Sequence, residues 1–313
     1  MLNDPVELTD LIANTTLGGQ LVLDLEIPES DQKALAIAIE SDQDIAAWRL
    51  MYGYREQTQR YPVITTLWGA YSQNWAQDVR MADLFSRFYY QEEAEARGHN
   101  AISPNQIIAR VPEVDLEPLL SSEPALTDQD WEAELSYGLA TTTRVLGQAP
   151  SPTELQAFQA NLPIRSHKAL EQWLWNWEIN YSLEQEITPE INTSYLDWFE
   201  SGMMKALVLL PTPNSWECLA YLHWFGACQV GSDVAMTFLK RWQEQYQANL
   251  VCHYGTMLQF QVGQPPQTPA EAWQLAWEQY TLAPYTLDAS GIAPRHQAHA
   301  LLHLDRWFLH ERP

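Results

Sequence analysis

The stretch NLVCHYGTMLQFQV, Asn249 to Val262, decides the fold class. Its apolar positions alternate on either side of Gly255-Thr256, as in two strands joined by a two-residue turn. Working upstream, Asp233 precedes VAMTFLKRWQEQY, whose apolar residues recur at helical spacing. Before that, Ser215 caps a helix holding Trp216, Leu219, Ala220 and Leu222, and Met204–Leu210 is a β-rich apolar run stopped by Pro211-Thr212-Pro213. Downstream, Pro265-Pro266 ends the hairpin, and Thr268 with Glu271 brackets Pro269 in a capping box that opens AEAWQLAWEQY. A Pro-rich turn, a His-bearing helix and a closing strand at Arg306-Trp307-Phe308-Leu309 complete the pattern. Residues 201–313 therefore read as a compact α/β domain with a small mixed or antiparallel sheet.

Further upstream the reading is mainly helical and acidic. Ser30-Asp31 before KALAIAIE, and Ser41-Asp42 before QDIAAWRLMYGYREQTQRY, predict two helices ahead of residue 60. PVITTLW, Pro62 to Trp68, is too short and too β-branched for a helix and predicts a buried strand. From Asn74 to Arg97 the apolar residues Trp75, Val79, Ala82, Phe85 and Phe88 predict a long amphipathic helix ending in an acidic turn at Glu92, Glu93 and Glu95. Residues 1–110 are thus a helical region with one buried strand. Residues 111–130 hold three Pro and no clean period, which predicts an acidic linker or exposed loop. Residues 131–200 form a Trp-rich helical region, with helices opening at Pro152 and Ser166. The whole chain is an α+β protein.

Several blocks of the last third, in order, resemble one family. These are the strand into LPTPNSWECLAYL, then WFGACQ, LKRWQEQYQANLV, the hairpin ending in VGQPP, TPAEAWQLAWEQY and the closing WFLHE. From about Lys205 to Glu311 the chain resembles the bacterial family catalogued as domain of unknown function 4253. Trp48 and RYPVITTLWG resemble a weaker block seen ahead of that domain. The chain departs from the family where relatives read Cys-Pro-Asp and it has Ala283-Pro284-Tyr285, and at Gly226, where relatives carry Asn. An activity resting on that Cys and Asp is not implied for this chain. The resemblance implies a bacterial accessory or immunity-type protein, with no reaction attached.

Composition narrows function. The 313 residues are 46% hydrophobic and 18% charged, with 14 Trp and 14 Tyr, which excludes a disordered, solvating chain. The net charge of −23 repels phosphate backbones and anionic lipid, so direct nucleic-acid binding is not expected. No apolar run reaches the roughly 18 residues of a membrane span, and the start MLNDPVELTD has neither basic region nor apolar core of a signal peptide. Three Cys without a C-x-x-C fit reduced thiols, and the expectation is a cytoplasmic protein without membrane insertion. The acidity is uneven: residues 1–200 hold 32 acidic and 11 basic side chains, residues 201–313 only 8 and 6.

Three constellations could carry chemistry. Trp173, Trp175 and Trp177 cannot all face one side of a helix, and with Trp198 and the carboxylates Glu178, Glu184 and Glu186 they predict an aromatic, acidic surface for a basic protein partner. Cys228, His253 and Asp233 are the residue types of a thiol nucleophile, its base and an orienter. His296, His299 and His303 fall within about 60° of arc on a helix, but residues seven apart lie about 10 Å apart along the axis, so no metal site is expected. There is no G-x-x-x-x-G-K and no G-x-G-x-x-G, and no cofactor is expected. The expected function is non-enzymatic binding of a basic protein partner, as an immunity-type or assembly accessory. The alternative is a Cys/His-dependent enzyme acting on a small substrate.

Overall fold

The computed structural model describes residues 1–39, 43–67, 74–82, 84–85, 103–199 and 203–312. The strands in it are β1 Val22–Glu26, β2 Lys33–Ile39, β3 Tyr61–Thr66, β4 Lys205–Leu210, β5 Ala248–His253, β6 Met257–Val262 and β7 Arg306–His310. The longer helices among these residues are α1 Pro5–Ile12, α2 Asp44–Gly53, α3 Trp75–Met81, α4 Pro104–Arg110, α5 Asp128–Leu146, α6 Pro152–Asn161, α7 His167–Gln185, α8 Ser232–Tyr246, α9 Pro269–Leu282 and α10 Pro294–Leu301. They divide into a strand unit (residues 1–114, 197–264 and 306–313) and a helical unit (115–196 and 265–305).

The strand unit is built on one seven-stranded sheet in the order β1-β2-β4-β3-β5-β6-β7. The pairs are antiparallel except β3 with β5, where Ile64 lies opposite Cys252 and Thr65 opposite His253. The hairpin of residues 249–262 forms as expected, and Gly255 takes the positive φ of 87° that its turn requires. β3 and β4 are buried at every residue, which matches their unbroken β-branched and aliphatic runs. Pro62 is tolerated because pairing of β3 with β5 begins only at Ile64, so the missing N–H falls where β3 has a single neighbour. On one side α8 sets Trp242 edge-on to Trp307 at 6.1 Å and to Phe260 at 6.5 Å. Each of these buried rings contributes roughly 2–3 kcal/mol of burial free energy.

Two expectations for the first third are corrected. KALAIAI is β2, not a helix: it pairs β1 across the loop 27–32 and β4 on its other edge, and Ala34 to Ile37 are all buried. Alternating Ala with Leu and Ile satisfies a helix pattern and a strand pattern at once, and burial on both faces decides for the strand. Ser30, read as a helix cap, instead accepts the Gln32 N–H at 3.1 Å within the turn. The N-terminal region therefore supplies three strands to the same sheet as the C-terminal third, rather than one short strand in a helical region. The second predicted helix is present as α2, followed by the short helix Arg55–Thr58. The long helix expected over 74–97 is cut short: α3 ends at Met81 with Ala82 as its C-cap, Leu84 and Phe85 lie in a turn, and Glu92, Glu93 and Glu95 fall outside the described residues. In 111–130, a 3-10 turn at Val111–Glu113 and a short helix at Glu117–Leu120 replace the structureless linker, with Val111, Leu116 and Leu120 buried.

The helical unit contains no strand among its described residues. α5 and α7 meet on Trp131, Leu170 and Leu174, with Leu126, Leu135, Leu139, Phe158, Leu162 and Trp173 packed around them. A Cβ on Gly138 would stand 2.7 Å from Leu174 Cδ1, so glycine sets the close approach of the two helices. The capping boxes at Ser151 with Glu154 and Thr268 with Glu271 start α6 and α9 where the spacing placed them. α6 has no fully buried residue and rides on the outside of α7.

Candidate functional site

The Trp-rich helix α7 places its aromatic residues on different faces. Trp173 and Trp177 are half-buried; Trp175 is 2% exposed, with its ring edge-on to His299 at 4.5 Å. Trp173 stacks on Phe158 of α6 at 4.3 Å, and one turn later Trp177 stacks on Tyr181 at 4.8 Å. The Trp177 indole N–H donates to Glu154 at 3.0 Å, and hydrogen bonds from Ser151 and Trp177 lower the Glu154 carboxyl below its ordinary range. Positions i, i+4 and i+8 of the helix thus form an aromatic ladder bonded to the exposed Glu154, and at the C-terminal end of the same helix Leu183, Glu184 and Glu186 are exposed. Trp198, half-buried, belongs to the strand unit and takes no part in this ladder. The acidity is concentrated here. The helical unit holds 17 acidic and 4 basic side chains in 123 residues, net −13, against 23 and 13 in the other 190.

Two residues expected on that surface are inside. Trp175 fills the core, and Glu178 is fully buried, because positions 171, 174, 175 and 178 share the inward stripe of α7. A carboxylate there needs a partner, and α10 supplies it. Arg295 Nε donates to Glu178 Oε1 at 2.8 Å, its Nη1 pairs with Glu171, and its Nη2 donates to the Gly138 carbonyl at 3.0 Å. The Thr142 hydroxyl donates to the same Glu178 oxygen at 2.6 Å. Burial pushes Glu178 up, but His296 and His299, 3.7 and 3.6 Å from its Oε2, and the Arg295 charge outweigh it and hold the carboxyl well below the usual range. Arg295, Glu171, Thr142 and Gly138 were not singled out from sequence. The signal that could have found them is a pair of Glu seven residues apart on an apolar stripe, which no isolated helix buries without a cation.

The three histidines do not act together. His303 follows the end of α10 and is exposed, whereas His296 and His299 are buried against Glu178. The helix stops at Leu301, which removes the geometry that aligned all three. Among the described residues no group of three or more His, Cys, Asp or Glu is arranged to hold a metal.

The three residues of the thiol constellation all lie in the strand unit, each with a local contact. Cys228 sits half-buried in the short helix Ala227–Val230. Asp233 accepts the Val234 N–H at 3.0 Å in the first turn of α8. His253, 1% exposed at the end of β5, accepts the Gly255 N–H on Nδ1 at 3.3 Å. That bond occupies the Nδ1 lone pair at the hairpin turn. Burial pushes the Cys218 thiol well up and the Cys252 thiol to about 12, so neither is a thiolate near neutrality. At the same sheet end Lys205, 3% exposed, pairs with Asp44 and lies 5.8 Å from the Tyr254 ring, a buried ion pair that fixes α2 to β4.

With both units described, the strands β4 to β7 and helices α8 to α10 can be set against known families. Residues 206–310 match the family described as domain of unknown function (DUF4253). No curated protein and no solved structure matches the chain. The DUF4253 segment covers about a third of the chain and crosses between the units twice, since 265–305 belong to the helical unit. It brings Arg295, His296 and His299; Glu171 and Glu178 come from the unmatched part of the chain. No helix among the described residues is long and apolar enough to cross a membrane.

Proposed function

We propose that this is a non-enzymatic, cytoplasmic interaction protein, of immunity or assembly-accessory type, that captures a basic protein partner on the α6–α7 face of its helical unit. The observation that carries the reading is the aromatic ladder Phe158, Trp173, Trp177 and Tyr181, with exposed Glu154 bonded to Trp177 and exposed Glu184 and Glu186 at the end of the same helix, in a unit of net charge −13. Stacked aromatic anchors supply contact area at little conformational cost, and Arg side chains bind both to ring faces and to carboxylates. The surrounding negative potential speeds encounter with a cationic surface. Cys218, Cys228 and Cys252 form no disulfide with one another, which suits a reducing compartment.

The test is retention of proteins from a lysate of the source organism on tagged protein at low and at physiological salt, with the triple variant Glu154→Gln, Glu184→Gln, Glu186→Gln alongside. Gln at position 154 keeps the α6 capping box, and Glu178 is left intact because it is part of the core. The expected result is a basic protein held by the wild type, weakened at physiological salt and lost from the variant. Equal retention by wild type and variant, or none by either, overturns the reading.

A further inference from the structure

A cavity of about 230 Å³ lies at the β1 end of the sheet in the strand unit. Its floor is apolar and buried: Leu25 of β1, Val79 of α3, and Leu84 and Phe85 from the turn that follows. Its rim is Glu26, Pro28 and Arg80, all exposed. Leu25 and Glu26 are consecutive in β1 and their side chains point to opposite faces, so a cavity that touches both sits at the strand's edge rather than on one face of the sheet. That edge carries unused backbone groups. The Ala38 N–H donates to the Leu21 carbonyl at 3.0 Å, and in an antiparallel ladder this phase turns the N–H and C=O of Leu23 and Leu25 toward β2 and those of Val22, Asp24 and Glu26 away from it. Among the described residues β1 has no strand on that side.

The charges at the rim select the ligand. Lys33 Nζ lies 2.8 Å from Asp24 and 2.7 Å from Glu26, so one ammonium already serves both carboxylates. Arg80 is differently placed. Its ion partner Asp24 stands 4.0 Å away, beyond hydrogen-bond reach, and a guanidinium has five N–H donors in a fork that matches a carboxylate. A cation with donors to spare and an outward-facing Glu26 N–H above an apolar floor suit an anion with a hydrocarbon body, whereas an amine would meet carboxylates already engaged. The volume falls below the roughly 300–1,000 Å³ of sites for drug-sized molecules, which limits the ligand to on the order of ten non-hydrogen atoms.

We propose that this cavity binds a small monocarboxylic acid with an apolar body, its carboxylate on the Arg80 guanidinium and its hydrocarbon among Leu25, Val79, Leu84 and Phe85. Burial of the hydrocarbon supplies the affinity, and the charge-assisted bond to Arg80 supplies the preference for an acid. The site belongs to the strand unit and does not depend on partner capture by the α6–α7 face.

The experiment is calorimetric titration of the full chain with sodium octanoate, with 1-octanol and with octylamine, repeated on Arg80→Gln and on Val79→Phe, which fills the floor. Octanoate is expected to bind at one site and more tightly than octanol or octylamine. Arg80→Gln should weaken octanoate about tenfold and leave octanol unchanged, and Val79→Phe should abolish both. Should Val79→Phe fail to fold, Arg80→Gln decides alone, because its side chain is exposed and glutamine keeps the helix. Equal octanoate binding by wild type and Arg80→Gln, octylamine bound as tightly as octanoate, or no binding of octanoate overturns the proposal.

Discussion

At His223 the sign of a pH dependence is set by burial alone. Desolvation pushes the imidazole down to about 4, while in the unfolded chain it ionises near 6.5. Between those values the unfolded state binds more protons, so stability falls as pH falls from about 6.5 to about 4 and then levels off. The full shift corresponds to roughly 3 kcal/mol. His310, also lowered by burial, adds to the same trend. Urea midpoints at pH 7 and pH 4.5 should differ in the wild type, and by clearly less in His223→Gln. Sequence reading placed all these histidines but not their surroundings. His296 and His299 looked like a possible metal face because spacing reports which side of a helix a residue occupies, not whether that side meets solvent or a carboxylate from another helix.

Among the elements, the N-terminal segment and β2 are held by one buried cation. Arg60, fully buried at the entrance to β3, donates to the Lys33 and Leu209 carbonyls at 2.8 and 3.1 Å, to Asn3 at 3.0 Å and to the Leu2 carbonyl. It thereby ties the chain start to the turn end of β2 and to the far end of β4. It has no carboxylate partner among these contacts, and burial lowers its guanidinium to about 10. Arg60→Met should cost about 3 kcal/mol, since the carbonyls it serves stay buried without donors. Chemical denaturation of the two proteins at pH 7 checks this, and a loss under about 1 kcal/mol would falsify the assigned role. The elements most legible in the sequence were those with a local signature: the Gly255 hairpin, the capping boxes of α6 and α9, and the aliphatic runs of β3 and β4. β2 was not, because its six apolar residues in a row fit either period and only two flanking strands, one far along the chain, choose between them.

On the scale of the molecule, the α+β class was legible, but the distribution of strands was not. β4 has β2 and β3 as its two neighbours, and both come from the region ahead of residue 67. A fragment of residues 206–310 alone, the DUF4253 segment, would leave β4 without either edge partner and β5 without β3. Such a fragment is expected to be insoluble or to lack cooperative melting, and a sharp transition by circular dichroism would show that the upstream strands are dispensable. Periodicity could not have revealed this, because pairing between β3 and β4 joins residues on opposite sides of the entire first stretch of the helical unit.

That interleaving also has a cost in time. Thr66 pairs with Lys205, and at roughly 5–20 residues per second a ribosome needs on the order of 10–30 s to make the chain between them. β1 and β2 can zip into a hairpin at once, but the outer edge of β2 and both edges of β3 meet their partners only after that interval. During synthesis the nascent chain displays apolar edges suited to pairing with a second nascent copy. How much native protein a cell recovers then depends on what shields residues 33–39 and 61–66 during translation as well as on the stability of the finished sheet.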